Sequence, residues 1–215
     1  MRKKKIYKII LIIIFILLLL FLIHFVRNYI IISKIAKKQE EIGNSTNYSY
    51  TIKFSNIESG ETAFIKYYRK DNRSITIMGD NIFWHDADTA EQISMNPKEL
   101  TAIVYENNET AIQANLPIPV VSNNFEDKLK QSIFSFITYD TVGNERCYEI
   151  QPLIGVISTI PYVSVENGTL LKLITGKVND LDEYSVSEYT DWKFNEVTDE
   201  DVSRPNLTGY EVTYN

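Results

Sequence analysis

The segment Tyr48–Ser55, YSYTIKFS, decides the fold. Tyr48, Tyr50, Ile52 and Phe54 alternate with Ser49, Thr51, Lys53 and Ser55. A period of two puts the apolar set on one side of an extended chain, which defines a half-buried antiparallel strand. The same rhythm continues downstream. Glu58, Ser59 and Gly60 turn into a strand over Glu61–Arg69, and Lys70, Asp71 and Asn72 turn into Arg73–Met78. Gly79, Asp80 and Asn81 turn into Ile82, Phe83 and Trp84, and further strands are predicted at Glu91–Met95 and Glu99–Tyr105 around Asn96 and Pro97. Short strands joined by tight turns form an antiparallel meander.

Upstream lies a segment of another kind. Ile9–Val26 holds 18 residues with no formal charge, flanked by Arg2, Lys3, Lys4, Lys5 and Lys8 and by Arg27. As a helix it would be about 27 Å long, close to the ~30 Å hydrocarbon core of a bilayer. The reading is a membrane-spanning helix, a signal-anchor rather than a cleaved signal. A cleaved signal has a shorter apolar core and a small-x-small site, whereas Ser33 and Ala36 stand among Ile31, Lys34 and Lys37. The five basic residues before the run favour an inside amino terminus. His24, near the end of the span, is read as facing headgroups, and Lys34, Lys37 and Lys38 as ordinary flanking charges. The expected organisation is a cytoplasmic tail 1–8, a membrane helix 9–32, a juxtamembrane linker 33–47 and an extracytoplasmic β-rich domain 48–215. Gln39–Asn47 is polar and is read as a short flexible tether.

Residues 39–215 carry all 28 acidic side chains and 13 of the 22 basic ones, a formal charge of −15. Phosphate backbones repel such a domain, so nucleic acid is not an expected partner. The single cysteine, Cys147, leaves no internal disulfide, no thiolate zinc cluster and no lipoprotein anchor after the span. Abundant Ile, Asn, Lys and Tyr match an AT-rich bacterial coding bias. The Asn-x-Ser/Thr triplets at Asn44, Asn47, Asn72, Asn108, Asn167 and Asn206 are then compositional.

Beyond an irregular stretch over Asn107–Asn124 with Pro117 and Pro119, the spacing of Phe125, Leu129, Ile133 and Phe136 predicts a helix. Strands follow at Arg146–Ile150, Tyr162–Val165 and Thr169–Leu173, the last two joined by the hairpin signal Glu166-Asn167-Gly168. A long strand over Val186–Val197 comes next. Thr198 and Asp201 then resemble a capping box for a short helical turn stopped by Pro205.

No GxGxxG, Walker, HExxH or GxSxG motif occurs. His85 beside Asp86 and Asp88 fits the end of a strand, and the runs Asp180, Asp182, Glu183 and Asp199, Glu200, Asp201 fit solvated turns. Cys147 alternates with Tyr148 as a small core residue. No catalytic residue, metal or cofactor is expected. A binding function would reside in apolar side chains on consecutive strands: Tyr67, Ile77, Met78, Phe83, Trp84 and Met95 are the candidate lining of a groove, if the Phe125 helix leaves part of that face open.

The segments YYRKDNRSI from Tyr67, ISMNPKELTAIV from Ile93, GNERCYEI from Gly143, VENGTLLK from Val165 and WKFNEVTDEDVSRPNLTGYEV from Trp192 carry a resemblance. In their order and spacing they resemble LolA-like lipoprotein-sorting proteins of the low-GC Gram-positive type, over about Tyr48 to Val212. The resemblance implies a mainly β (α+β) fold, an unclosed antiparallel barrel of ten or eleven strands with plugging helices and a cavity for acyl chains. It also implies a non-enzymatic lipid or lipoprotein binder. A domain tethered to an uncleaved span cannot shuttle between membranes. The expected role is therefore a tethered module in the cell membrane that binds an acyl chain or lipoprotein, or alternatively a filled-core scaffold or sensor that binds an envelope protein partner.

Overall fold

The computed structural model describes residues 2–106, 121–153, 157–177 and 180–215. Helix α1 (Arg2–Gly43) is followed by β1 (Asn47–Asn56), β2 (Thr62–Lys70), β3 (Arg73–Met78), β4 (Asn81–Asp86), β5 (Glu91–Asn96) and β6 (Thr101–Tyr105). Helix α2 (Phe125–Phe134) leads into β7 (Ser135–Val142), β8 (Glu145–Pro152), β9 (Ile157–Ser164), β10 (Leu170–Lys177), β11 (Asp180–Phe194) and β12 (Glu211–Tyr214). All twelve strands form one open sheet in the order β12-β6-β5-β4-β3-β2-β1-β11-β10-β9-β8-β7. Every pairing is antiparallel except β12 with β6, which is parallel. The result is the unclosed antiparallel sheet with helices that the resemblance implies, with twelve strands among the described residues where the resemblance implies ten or eleven.

The meander follows its turn chemistry. Asp71 and Gly79 take positive φ between strands, and the Asn56 and Asn96 side chains accept backbone N–H groups two and three residues on. Gly168 closes the predicted hairpin with φ +82°. Thr198 and Asp201 exchange the reciprocal bonds of a capping box (Thr198 N–H to Asp201 Oδ2, 2.8 Å), but they close a turn rather than a helix.

Three expectations need correction. The predicted helix gives way at Ser135, where the chain becomes β7, an edge strand that its helical spacing concealed. Strand β12 was not foreseen; it is four residues long and draws its hydrogen bonds from the distant β6. The third concerns 33–47, read as a linker with a flexible tether over Gln39–Asn47. Helix α1 runs unbroken through this region to Gly43, about 63 Å in all. Of the irregular run over Asn107–Asn124, residues 107–120 lie outside the described residues.

The reason for the long helix is a second apolar stripe. Asn28, Ile31, Ile32, Ile35, Ala36 and Gln39 are buried, while Arg27, Ile30, Lys34 and Lys37 on the other side are exposed. The spacing of three and four is that of one helix face. Ile6–Ile23, by contrast, is almost wholly exposed apolar surface, long and apolar enough to cross a membrane. The exposed charge-free run therefore ends at Val26. Asn28, Ile31 and Ile32, assigned from sequence to the membrane helix 9–32, pack inside the domain.

That second half of α1 fills the hollow of the sheet. It packs with Tyr48, Tyr50, Tyr67, Ile137, Tyr148, Ile150, Val163, Leu170 and Tyr189 in the main core. A second core of Trp84, Ile93, Met95, Ala102 and Val104 is covered by Leu207, Tyr210 and Val212 from the carboxy-terminal segment.

Candidate functional site

Strand register places the six predicted groove residues on two opposite faces. Tyr50, Tyr67, Thr76, Phe83 and Ser94 are successive cross-strand partners and share the face that carries α1; Met78, paired with Ile65, belongs with them. Lys66, Ile77, Ile82 and Met95 form the next row, on the other face, and so do Ile75, Trp84 and Ile93. Neighbours in a strand point to opposite sides, so Ile77 and Met78, or Phe83 and Trp84, cannot line one groove. Trp84 and Met95 are core under the carboxy-terminal segment, and the Trp84 indole N–H donates to the Val202 carbonyl at 3.0 Å. Tyr67 lies beneath α1. Only Met78 and Phe83 combine the helix side of the sheet with accessibility.

The centre of that side is an aromatic floor. Tyr50 meets Tyr67 at 5.2 Å and Trp192 at 4.7 Å between ring centroids, and Tyr48 meets Tyr67 at 5.7 Å. Burial pushes the phenols of Tyr50 and Tyr67 above the usual tyrosine range, and neighbouring phenols push further in the same direction. With Ile31, Ile32 and Ile35 seated on it, the floor is closed.

What stays open is the flank of α1. A hollow of about 570 Å³ runs between α1 and the inner face of β7 and β8, lined by Leu22, Ile23, Val26, Ile30, Ile31, Tyr139 and Tyr148, with Arg27 and Lys34 at its margin. Its apolar walls are continuous with the exposed run of α1. Arg27 Nη2 donates to the Ile137 carbonyl (2.9 Å), and Asn28 Nδ2 donates to the carbonyls of Ser135 (2.8 Å) and Ser132 (3.2 Å). These three bonds fix the helix against the end of α2 and the start of β7. The Tyr139 and Tyr148 rings meet at a tilt of 41° with centroids 5.1 Å apart, and the Arg146 guanidinium lies 4.3 Å from the Tyr139 ring. Sequence reasoning missed this hollow because half of it belongs to a segment read as span and linker. The helical stripe from Asn28 to Gln39 was the available signal.

At the far end of α1, Lys38 donates to the carbonyls of Val165 (2.8 Å) and Glu166, and Gln39 bridges Gly168 and Val121. Lys38 thus belongs to the β9–β10 turn. A second hollow, of about 420 Å³, lies over the polar side of β1 and β2 among Lys66, Asp191, Lys193 and Glu196, charges of both signs that do not suit an apolar ligand.

The polar candidates have structural partners. Asp86 and Asp88 hold the turn after His85, accepting from Asp88 N–H (2.9 Å) and Asn72 (2.7 Å), and burial lowers the His85 pKa. Asp199 pairs with Lys70 at 2.9 Å, which holds its carboxyl below the usual range. Cys147 is buried and its thiol is pushed up by that burial, away from thiolate chemistry. The side chains of Asp180, Asp182 and Glu183 lie outside the described residues. Among the described residues no group of three His, Cys, Asp or Glu could hold a metal.

The fold and hollow define a class: an open β-sheet domain plugged by its own amino-terminal helix, with an apolar opening beside that helix. No protein-family model matches the chain, and no curated protein matches it. Similar solved structures include a LolA-superfamily protein from Nitrosomonas europaea, at 12% identity over 80% of this chain and 96% of that one, TM-score 0.35. A DUF1329-family protein from Desulfovibrio piger is alike at 10% identity over 78% and 94%, TM-score 0.32. MucB is alike at 8% identity over 80% of this chain and 62% of its own, TM-score 0.46, and has also been solved in complex with MucA.

Proposed function

We propose that this protein is a membrane-tethered, non-enzymatic extracytoplasmic module that binds the acyl chain of a lipid or lipoprotein. The carrying observation is the apolar hollow of about 570 Å³ beside α1, walled by Val26, Ile30, Tyr139 and Tyr148 and opening where the charge-free run ends. A chain leaving the outer leaflet along Leu22 and Ile23 could enter it without crossing a polar surface. Each buried CH₂ would contribute about 0.8 kcal/mol, so a few carbons suffice for transient capture and a dozen for stable binding. Arg27 and Lys34 stand at the margin, where a phosphate or carboxylate headgroup would come to rest. Met78 and Phe83 are secondary candidates on the same side of the sheet.

One observation favours a second reading, a module that binds an envelope protein partner. The centre of the barrel is occupied by Ile31, Ile32 and Ile35 of the same chain, which close the central hollow among the described residues.

The test uses the full chain in vesicles containing a phospholipid with a photoactivatable diazirine at the end of its acyl chain. Acyl capture predicts adducts on Tyr148, reduced several-fold by Ile30→Trp, which fills the hollow. Adducts confined to residues 9–26, as any bare span would give, would sink the acyl reading and leave the partner-binding one.

A further inference from the structure

The strands alternate in direction, so their turns fall on two rims, and α1 joins both. It enters at the rim where β7 begins, through Arg27 and Asn28, and ends at the other, through Lys38 and Gln39 at the β9–β10 turn. The rims differ in chemistry. At the far rim the turns 71–72, 87–90, 143–144 and 166–168 expose no large apolar side chain. At the entry rim Phe134, Phe136 and Leu153 are 49%, 45% and 56% exposed, and Ile57 and Leu100 stand exposed at the more distant β1–β2 and β5–β6 turns of that rim. Leu153 N–H donates to the Phe134 carbonyl at 2.8 Å and Phe136 pairs with Gln151 in the same strand pair, which places the three at one corner.

From this geometry we propose that the corner formed by Phe134, Phe136 and Leu153 docks into the bilayer surface, holding the domain in one orientation on its own membrane. The inference rests on the reading of α1 as a span. Asn28 is hydrogen-bonded to the carbonyls of Ser132 and Ser135, which flank Phe134, and it lies two residues past Val26, about 3 Å along the helix axis. These three side chains therefore sit beside the point where the apolar run leaves the hydrocarbon. Phe and Leu side chains on a surface-lying element bury into the boundary between headgroups and acyl chains. A weak patch is enough, because the span already holds it at the surface at high effective concentration. Glu58, Glu61, Asp80 and Glu99 occupy the β1–β2, β3–β4 and β5–β6 turns of the same rim, so contact centres on the β7–β8 corner rather than the whole edge.

The experiment places the full chain in phosphatidylcholine vesicles with and without acyl-chain bromination, and compares Phe134→Trp and Phe136→Trp with Phe125→Trp. Phe125, at 64%, is more exposed than either but follows Asn123, which bonds Glu40 near the far end of α1. After subtraction of the parent signal from Trp84 and Trp192, bromine should quench the added emission at 134 and 136 at least twofold more than at 125. Equal quenching at all three sites overturns the proposal. Alkaline carbonate extraction of the same vesicles separates the two possible failures. Protein that stays in the pellet yet gives equal quenching refutes docking alone, whereas protein released to the supernatant refutes the span and docking with it.

Discussion

Gly168 concentrates the architecture in one residue. It has φ +82°, and a Cβ placed on it would come within 2.6 Å of Lys38 Cβ. The asparagine-glycine pair is legible in sequence as a hairpin turn; the close approach of a helix 130 residues earlier in the chain is not. Gly168→Ala should therefore cost more than a positive φ alone, about 2–4 kcal/mol, read as a fall in the urea midpoint at unchanged slope. Replacing Gly60, whose φ is +70° but which has no atom within 4 Å of a built Cβ, should cost only about 1 kcal/mol. Equal losses would mean that α1 does not press on the β9–β10 turn. Trp84 teaches the opposite lesson. It was attractive as a ligand platform because it is large and aromatic, yet its indole N–H is satisfied by Val202 and its ring by Ile93 and Val104.

Among the elements, the meander from β1 to β6 was readable because each strand carries a period of two and each turn its own Gly, Asn or Asp. Strands β7 and β12 were hidden for different reasons: β7 continues the apolar spacing of α2, and β12 depends on its partner β6. The candidate groove failed for a physical reason as well. Adjacent residues such as Phe83 and Trp84 were assigned to one face, although a strand sends them to two. The aromatic floor shared by β1, β2 and β11 makes its own prediction. Burial raises the phenol pKa of Tyr50, Tyr67 and Tyr189, and on the outer side burial and Glu149 push Tyr162 up to about 12. A group whose folded pKa is raised contributes stability that is complete below its unfolded value, about 10 for tyrosine, and is lost as pH rises through the folded value. The domain should hold its fold to about pH 10, then unfold as the pH is raised through 12 and beyond, with the last part of the phenolate absorbance, that of the buried tyrosines, appearing together with loss of circular dichroism. The full phenolate absorbance of all the tyrosines developing while the fold persists would show the floor to be open to water.

For the whole molecule, the decisive feature is that one helix carries an exposed apolar half and a buried half. Ile9–Ile23 is exposed and apolar, Asn28–Gln39 carries the plug of the sheet, and no glycine or proline lies between them. The apolar run and the domain are therefore joined by one continuous helix, so the hollow and the Phe134 corner keep a fixed distance from the charge-free run. Burial of Ile31, Ile32 and Ile35 supplies roughly 5–9 kcal/mol, comparable with the entire net stability of a domain. The most direct measurement is equilibrium unfolding of residues 27–215 beside residues 44–215, each purified in detergent and followed by tryptophan emission. The fragment with the plug should unfold in one cooperative transition, and the fragment without it should show no folded baseline or only aggregate. A 44–215 fragment that is monomeric and unfolds at the same urea concentration would contradict the account, because the helix would then be an anchor and nothing more.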